Sequence, residues 1–223
     1  MKNESFYFEV KDIITQFVAA FNDIVIKRYN KDKSVADQIK VRFTYAPKER
    51  VLHDLVNKSQ HLTLPAVAVS ISSIERDSER VFNKILGTFD NPTFSTESKH
   101  LPAPVPINIS VNMSILAKFQ TDMDQILSNF IPYSNPYIII SWPVPLDLTG
   151  LTDLREIRSE VLWSGSVSME YPVEQQPTQP ARITADTSFT IKGCLFPYKP
   201  VTTVKNIYYV NTHVTAVTGL ESI

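Results

Sequence analysis

The chain has 223 residues, 43% of them hydrophobic and 20% charged, the composition of an ordinary globular protein whose core needs no disulfide or metal staples. With 22 basic and 23 acidic residues the net charge is -1, so the basic excess by which nucleic-acid binders neutralise phosphates is missing. A single cysteine, Cys194, excludes an internal disulfide, and 5 glycines leave no room for a Gly-rich phosphate loop.

The first ten residues lack a long uncharged apolar stretch, so no signal peptide is expected. Nowhere do about 18 apolar residues run together, so no membrane-spanning helix is expected and synthesis is expected in the cytoplasm. From Phe6 to Phe21, Val10, Ile13, Ile14, Phe17, Val18 and Phe21 recur at helical spacing, with Ser5 placed to cap the N-terminus. Asp23 to Tyr29 reads as a strand and Asn30 to Asp37 as a polar loop. Ile39, Val41, Phe43 and Tyr45 then alternate with polar residues as a half-buried strand, which can pair with the first across the loop. Pro47 opens a second helix, whose buried stripe is Val51, Leu52, Leu55 and Val56. Leu64-Pro65 ends the connection, and a strand follows toward Ser73.

Glu75 to Arg80 alternates in sign, which suits a solvated face or a contact between subunits. Residues 88–106 are studded with proline and lack periodicity, so they are expected to form an arm or hairpin reaching a neighbour. Ile107 to Ile115 alternates strictly apolar with Asn and Ser, the clearest strand in the chain. Thr121 opens a third helix, with Thr121 and Asp124 as a capping pair and Pro132 and Pro136 beyond its end. The unbroken apolar run Tyr137 to Trp142 predicts a central strand. Glu156 to Tyr171 and Arg182 to Phe196 read as long strands separated by a polar loop at 172–180, with a further strand at 207–217. The sum is a single α+β domain over 1–223, a mostly antiparallel twisted β-sheet flanked by about three helices, with extended loops or hairpin arms.

Catalytic constellations are missing from this pattern. His53, His61, His100 and His213 match no metal-ligand spacing. Trp163-Ser164-Gly165-Ser166-Val167 lacks the paired glycines of a nucleophile elbow and sits in a predicted strand. Asp122 and Asp124 fall in the first turn of a helix, where acidic groups offset the dipole, and are not read as a catalytic pair. Cys194, in an apolar run, reads as a small packed residue. No enzyme activity and no cofactor are expected.

Several segments resemble, in order, the tail sheath stabiliser and completion proteins of contractile-tailed bacteriophages. They are Ile24-Val25-Ile26-Lys27-Arg28, then Val41 through Tyr45-Ala46-Pro47-Lys48-Glu49 opening a helix, then Leu64-Pro65 before a strand. Next come Pro106 to Leu127 with the turn Ile131-Pro132-Tyr133, and Phe189 to Pro197. The resemblance spans about residues 6–215, and the extended acidic tail of longer relatives is missing. It implies a structural virion protein forming a homo-hexameric ring at the head-proximal end of the tail. The implied partners are other copies of itself, the tail tube protein, the tail sheath protein and a neck or head-completion protein, with no membrane and no sequence-specific nucleic acid. Candidate interface residues are Lys27, Arg28, Tyr45, Lys48, Glu49, Arg76, Asp77 and Arg80. For Tyr45, Lys48 and Glu49 the alternative is that they close a strand-to-helix corner. A different neck or head–tail joining ring protein, a tail terminator of a related contractile machine that is not a phage, and a small hydrolase are the competing readings of the whole chain.

Overall fold

Strict alternation along Ile107–Ile115 gives the strand Val105–Ala117 one apolar and one largely polar face, and this strand organises the molecule. In the computed structural model, residues 8–57, 64–80, 88–90, 97–101, 103–144, 156–171, 182–197 and 202–205 are described. The elements run α1 (Glu9–Phe21), β1 (Val25–Tyr29), β2 (Val35–Lys40), β3 (Arg42–Tyr45), α2 (Lys48–Asn57), β4 (Ala66–Arg76), β5 (Thr88–Asp90) and β6 (Glu97–Leu101). They continue with β7 (Val105–Ala117), α3 (Gln120–Ser134), β8 (Ile138–Pro143), β9 (Glu156–Trp163), β10 (Ser168–Glu170), β11 (Ile183–Leu195) and β12 (Thr202–Lys205). The fold is α+β.

A 7-stranded sheet runs β3-β4-β7-β11-β9-β8, with β10 also on β11. β7 pairs antiparallel with β11 without a register shift, from Val105 opposite Leu195 to Ala117 opposite Ile183. β4 lies antiparallel on the other side of β7. β3 is parallel to β4, an arrangement that needs a crossover, and α2 supplies it. β1 and β2 form a separate hairpin, and β5, β6 and β12 a separate 3-stranded sheet.

One face of the large sheet carries Ile109, Val111, Met113 and Ile115 of β7, Phe189 and Ile191 of β11, and Ile140 and Trp142 of β8. Ile13, Ile14, Phe17 and Phe21 of α1 and Met123, Ile126 and Phe130 of α3 complete this core, with Ile26 of β1. Phe189 is the aromatic centre, with ring centroids 5.2 Å from Phe17, 5.6 Å from Phe21 and 5.7 Å from Phe130. Gly193 lets α1 approach β11: a Cβ there would lie 3.1 Å from Ile13 Cδ1. The opposite face carries short polar residues, among them Ser110, Asn112, Ser114, Ser188 and Thr190. α2 packs over one end of it through Val51 on Ala68 and Leu116.

Several sequence-based boundaries move, each for a physical reason. The predicted strand over Ile39–Tyr45 is two strands, because Val41 is buried and donates to Ile24 O (3.0 Å) while the chain changes partners from β1 to β4. The polar loop before it is shorter, with β2 starting at Val35. Helix α1 begins at Glu9 with Phe8 at its cap and no side-chain cap bond. Helix α2 begins at Lys48, and the Pro47 carbonyl accepts from Val51 N–H.

Helix α3 begins at Gln120 with Phe119 at the cap. Thr121 and Asp124 do not form a capping pair, and Asp124 instead accepts from Gln120 Nε2 at 2.7 Å. Pro132 does not end α3. The carbonyl of Ser128 loses its donor there, but Ser128 and Pro132 lie on the exposed side, where water can serve it. Among the described strands β8 lies at the edge of the sheet, not at its centre, and its burial alternates, leaving Ile139 57% exposed. An apolar run does not report its own neighbours.

The predicted strand over 156–171 is broken at 164–167. There Ser164 N–H donates to Ser188 O, and Gly165 adopts φ +81° in a bend, so the Trp163–Val167 motif leaves the strand after Trp163. Within the Pro-rich 88–106 segment, β5 and β6 pair antiparallel, while Val105 and Pro106 already belong to β7. The Ser5 cap, the 172–180 loop and the 207–217 strand lie outside the described residues.

Phe189→Ala is expected to lower unfolding free energy by about 3–5 kcal/mol, because three aromatic neighbours lose a common partner and a cavity remains. Urea unfolding followed by tryptophan fluorescence measures this, with Ile139→Ser as the exposed control, expected within about 0.5 kcal/mol of the wild type.

Candidate protein-interaction surfaces

The β1–β2 hairpin stands on α3. Gln125 clamps its base by accepting from Lys27 N–H and donating to Lys27 O, both at 2.9 Å. Arg28 reaches Asp122 Oδ2 at 2.9 Å, and its guanidinium lies 5.2 Å from the Phe119 ring centroid. The Asp122 side chain is only 2% exposed, so it is a structural ion-pair partner. Asp124 is exposed and held by Gln120, so the two aspartates share no site. Lys27 itself points into solvent.

At the start of α2, Lys48 Nζ donates to Asp186 Oδ2 at 2.6 Å and to Glu170 Oε2 at 3.2 Å, tying the helix to β11 and β10. Burial works to lower the Lys48 pKa, but the hydrogen bonds and charges of Asp186 and Glu170 outweigh it, and the net shift is upward. Beside this cluster an open groove of about 550 Å³ runs across the polar sheet face, lined by Glu49, Asn112, Ser114, Asp186 and Ser188 among others. Asp186 Oδ1 is buried there with no hydrogen-bond partner. Glu49 is exposed, and Tyr45 is 60% exposed. The corner between β3 and α2 is closed by backbone, with Ala46 N–H donating to Thr44 O, and not by a packed tyrosine ring.

The charged run after β4 turns partly inward. Arg80 Nε donates to Asp77 Oδ2 at 2.6 Å, and its Nη2 reaches Ile107 O at 2.9 Å, Asn108 Oδ1 at 3.2 Å and, more weakly, Gly193 O at 3.5 Å. Asp77 N–H donates to Pro106 O. Asp77 and Arg80 thus bind the ends of β4, β7 and β11 together, while Arg76 remains exposed. A fourth surface is apolar: Ile131, Tyr133, Tyr137 and Ile139, at the end of α3 and the start of edge strand β8, are 38–57% exposed.

Sequence reasoning named Lys27, Arg28, Tyr45, Lys48, Glu49, Arg76, Asp77 and Arg80. The structure does not gather them into one patch. It joins Lys48 to Asp186 and Glu170, and Arg28 to Asp122. Those partners lie 94–138 residues away in the chain, and no local pattern announces them. Cys194 packs against the core, and burial, with the Glu9 charge adding to it, pushes its thiol up to about 11. Among the described residues no group of three metal-ligating side chains comes together, and no helix is long and apolar enough to cross a membrane.

The described surfaces thus comprise ion pairs that fix element ends, an open polar groove and an exposed apolar edge at β8. A family model described as the T4-like virus Myoviridae tail sheath stabiliser matches residues 5–221. The chain belongs to the tail sheath stabiliser family, whose members are structural proteins of contractile tails and not enzymes. Among solved structures it is similar to the sheath/tube terminator of an extracellular contractile injection system, PVC, in the extended state. That match has 12% identity and a TM-score of 0.40, and covers 98% of this chain and 66% of the other. Comparison with curated proteins returned no match.

Arg80, chiefly through its side-chain hydrogen bond, holds the Asp77 carboxyl below its ordinary value of 3.8. A depressed folded value means that the ionised group stabilises the fold above the ordinary aspartate range and that this contribution fades as pH falls through the lower, folded value. The stability gap between wild type and Asp77→Asn should therefore shrink on acidification below pH 3.8, as followed by urea unfolding across pH. At pH 8 roughly one part in a thousand of Cys194 is thiolate, so a disulfide reagent should label the native chain far more slowly than the unfolded one.

Proposed function

We propose that copies of this chain form a homo-hexameric ring at the head-proximal end of a contractile tail. There the ring ends the tube, holds the extended sheath and offers the docking face for the neck and head. Membership of the sheath stabiliser family is the observation that carries this reading. A ring made of one kind of subunit needs two unlike, mutually complementary patches on each copy. The chain offers unlike surfaces: a lysine-bearing hairpin, a polar groove and an apolar edge at β8.

Lys27, Tyr45, Glu49 and Arg76 are the side chains available to partners, while Arg28, Lys48, Asp77 and Arg80 hold the surfaces in shape. The β5–β6 hairpin within the 88–106 segment is the arm reaching a neighbour. Tube, sheath and neck proteins are the partners. The ring assembles in the host cytoplasm, and the free chain is a monomer or weak oligomer.

Deleting the gene should leave tails whose sheaths are unstable and which do not join heads, as seen by negative-stain electron microscopy. A labelled chain should mark the upper end of wild-type tails. Normal infectious yield from the deletion, or label elsewhere on the particle, is the outcome that overturns the proposal.

A further inference from the structure

We infer that the tip of the β1–β2 hairpin of one copy docks into the Lys48–Asp186 groove of the next, an inference that rests on the ring reading above. Ile26 and Arg28 anchor the hairpin base, but every residue from Tyr29 to Gln38 is exposed. A two-stranded ribbon without cover is marginal in water. This one is nonetheless built to hold a shape. Asn30 N–H donates to Ser34 O (2.9 Å), Lys33 N–H to Asn30 O (3.0 Å), and Ser34 Oγ to Asp32 Oδ1 (2.6 Å). Lys33 takes a left-handed φ of 64° to close the turn. Such preorganisation lowers the entropic cost of docking. Tyr29 and Val35 face each other across the ribbon at 58% and 47% exposure, an apolar pair with little cover in the monomer.

Free donors select the acceptor. The tip carries Lys31 and Lys33 beside the ionised Asp32 and Asp37, whose oxygens already accept from Ser34 and from Gln38 N–H, so the two lysine side chains are the groups with donors to offer a partner. The groove and its rim carry Glu49, Asp186 and Glu170 against one ammonium, Lys48, which the last two already share. The floor residues Asn112, Ser114 and Ser188 are short, which leaves room for an incoming lysine side chain and offers it acceptors. The hairpin base joins the helix-covered core, and the groove opens on the opposite face of the large sheet. A contact between such unlike patches repeats head to tail, as a closed ring requires.

The test uses the full chain with charge reversals on the two exposed sides: Lys31→Glu with Lys33→Glu at the tip, Glu49→Lys with Glu170→Lys at the groove, and all four together. Sedimentation across protein concentration should show each pair of reversals weakening self-association about tenfold, and the fourfold variant recovering most of the loss. Unchanged association in the single-side variants, or no recovery in the combination, overturns the inference. If the free wild-type chain stays monomeric, the variant Lys33→Cys with Glu170→Cys is assembled into tails and oxidised. A covalent link between copies is expected. A ring seen by electron microscopy without that link overturns the hairpin contact and leaves the ring standing; no ring at the tail end overturns both.

Discussion

β7 and β11 pair residue for residue along their whole lengths, and the side chain of Phe189, near the middle of that ladder, is where α1 and α3 both meet the sheet. Without this pair β4 keeps only β3, β9 keeps only β8 and β10 has no strand to pair with, because β4 attaches to β7 and both β9 and β10 attach to β11. The two helices would lose the floor on which Phe17, Phe21 and Phe130 converge. The polar contacts serve the same pair: Arg80 closes one end by binding Asp77, Asn108 and the Ile107 carbonyl. At that end, too, Glu9 of α1 accepts from Phe196 N–H just beyond β11.

The alternation of β7 gives the sheet one face buried under α1 and α3 and an opposite, polar face that α2 covers at one end and that is open as a groove elsewhere. Apolar side chains of β7 account for the first. Its Asn and Ser residues account for the second, since short hydroxyl and amide groups exclude neither water nor an incoming side chain. Charged groups follow the same division. Asp122, Asp77 and Lys48 are committed to partners within the chain, while Lys27, Glu49 and Arg76 stand in solvent.

The sequence was most readable where periodicity and burial agree. Ile107 to Ile115 reads as a strand from its alternation alone, and α1 from the spacing of Ile13, Phe17 and Phe21. A hairpin after Asp23 is legible from two β-rich runs about a polar loop, but its second strand is Val35–Lys40, so of the expected partner strand only Ile39 and Lys40 pair with β1. Reading failed where tertiary context decides. The run from Tyr137 to Trp142 is apolar throughout, yet its position at the sheet edge depends on strands far away in the chain. Val41 lies within one alternating run, but burial beneath Ile24 splits that run between two sheets. The break at Gly165 was hidden because the strands on either side both rest on β11. The surfaces were less readable than the fold. Arg28 and Lys48 could be singled out as charged residues in motifs, but their partners Asp122 and Asp186 become neighbours only through sheet and helix packing.

The unbroken β7–β11 ladder also bears on mechanics. At about 3.4 Å per residue, 13 paired residues make a seam of about 44 Å. A pull directed along the strands loads all the cross-links of that seam in shear at once. A pull across its end opens them singly, like a zipper, and there the Arg80 cluster acts as a rivet.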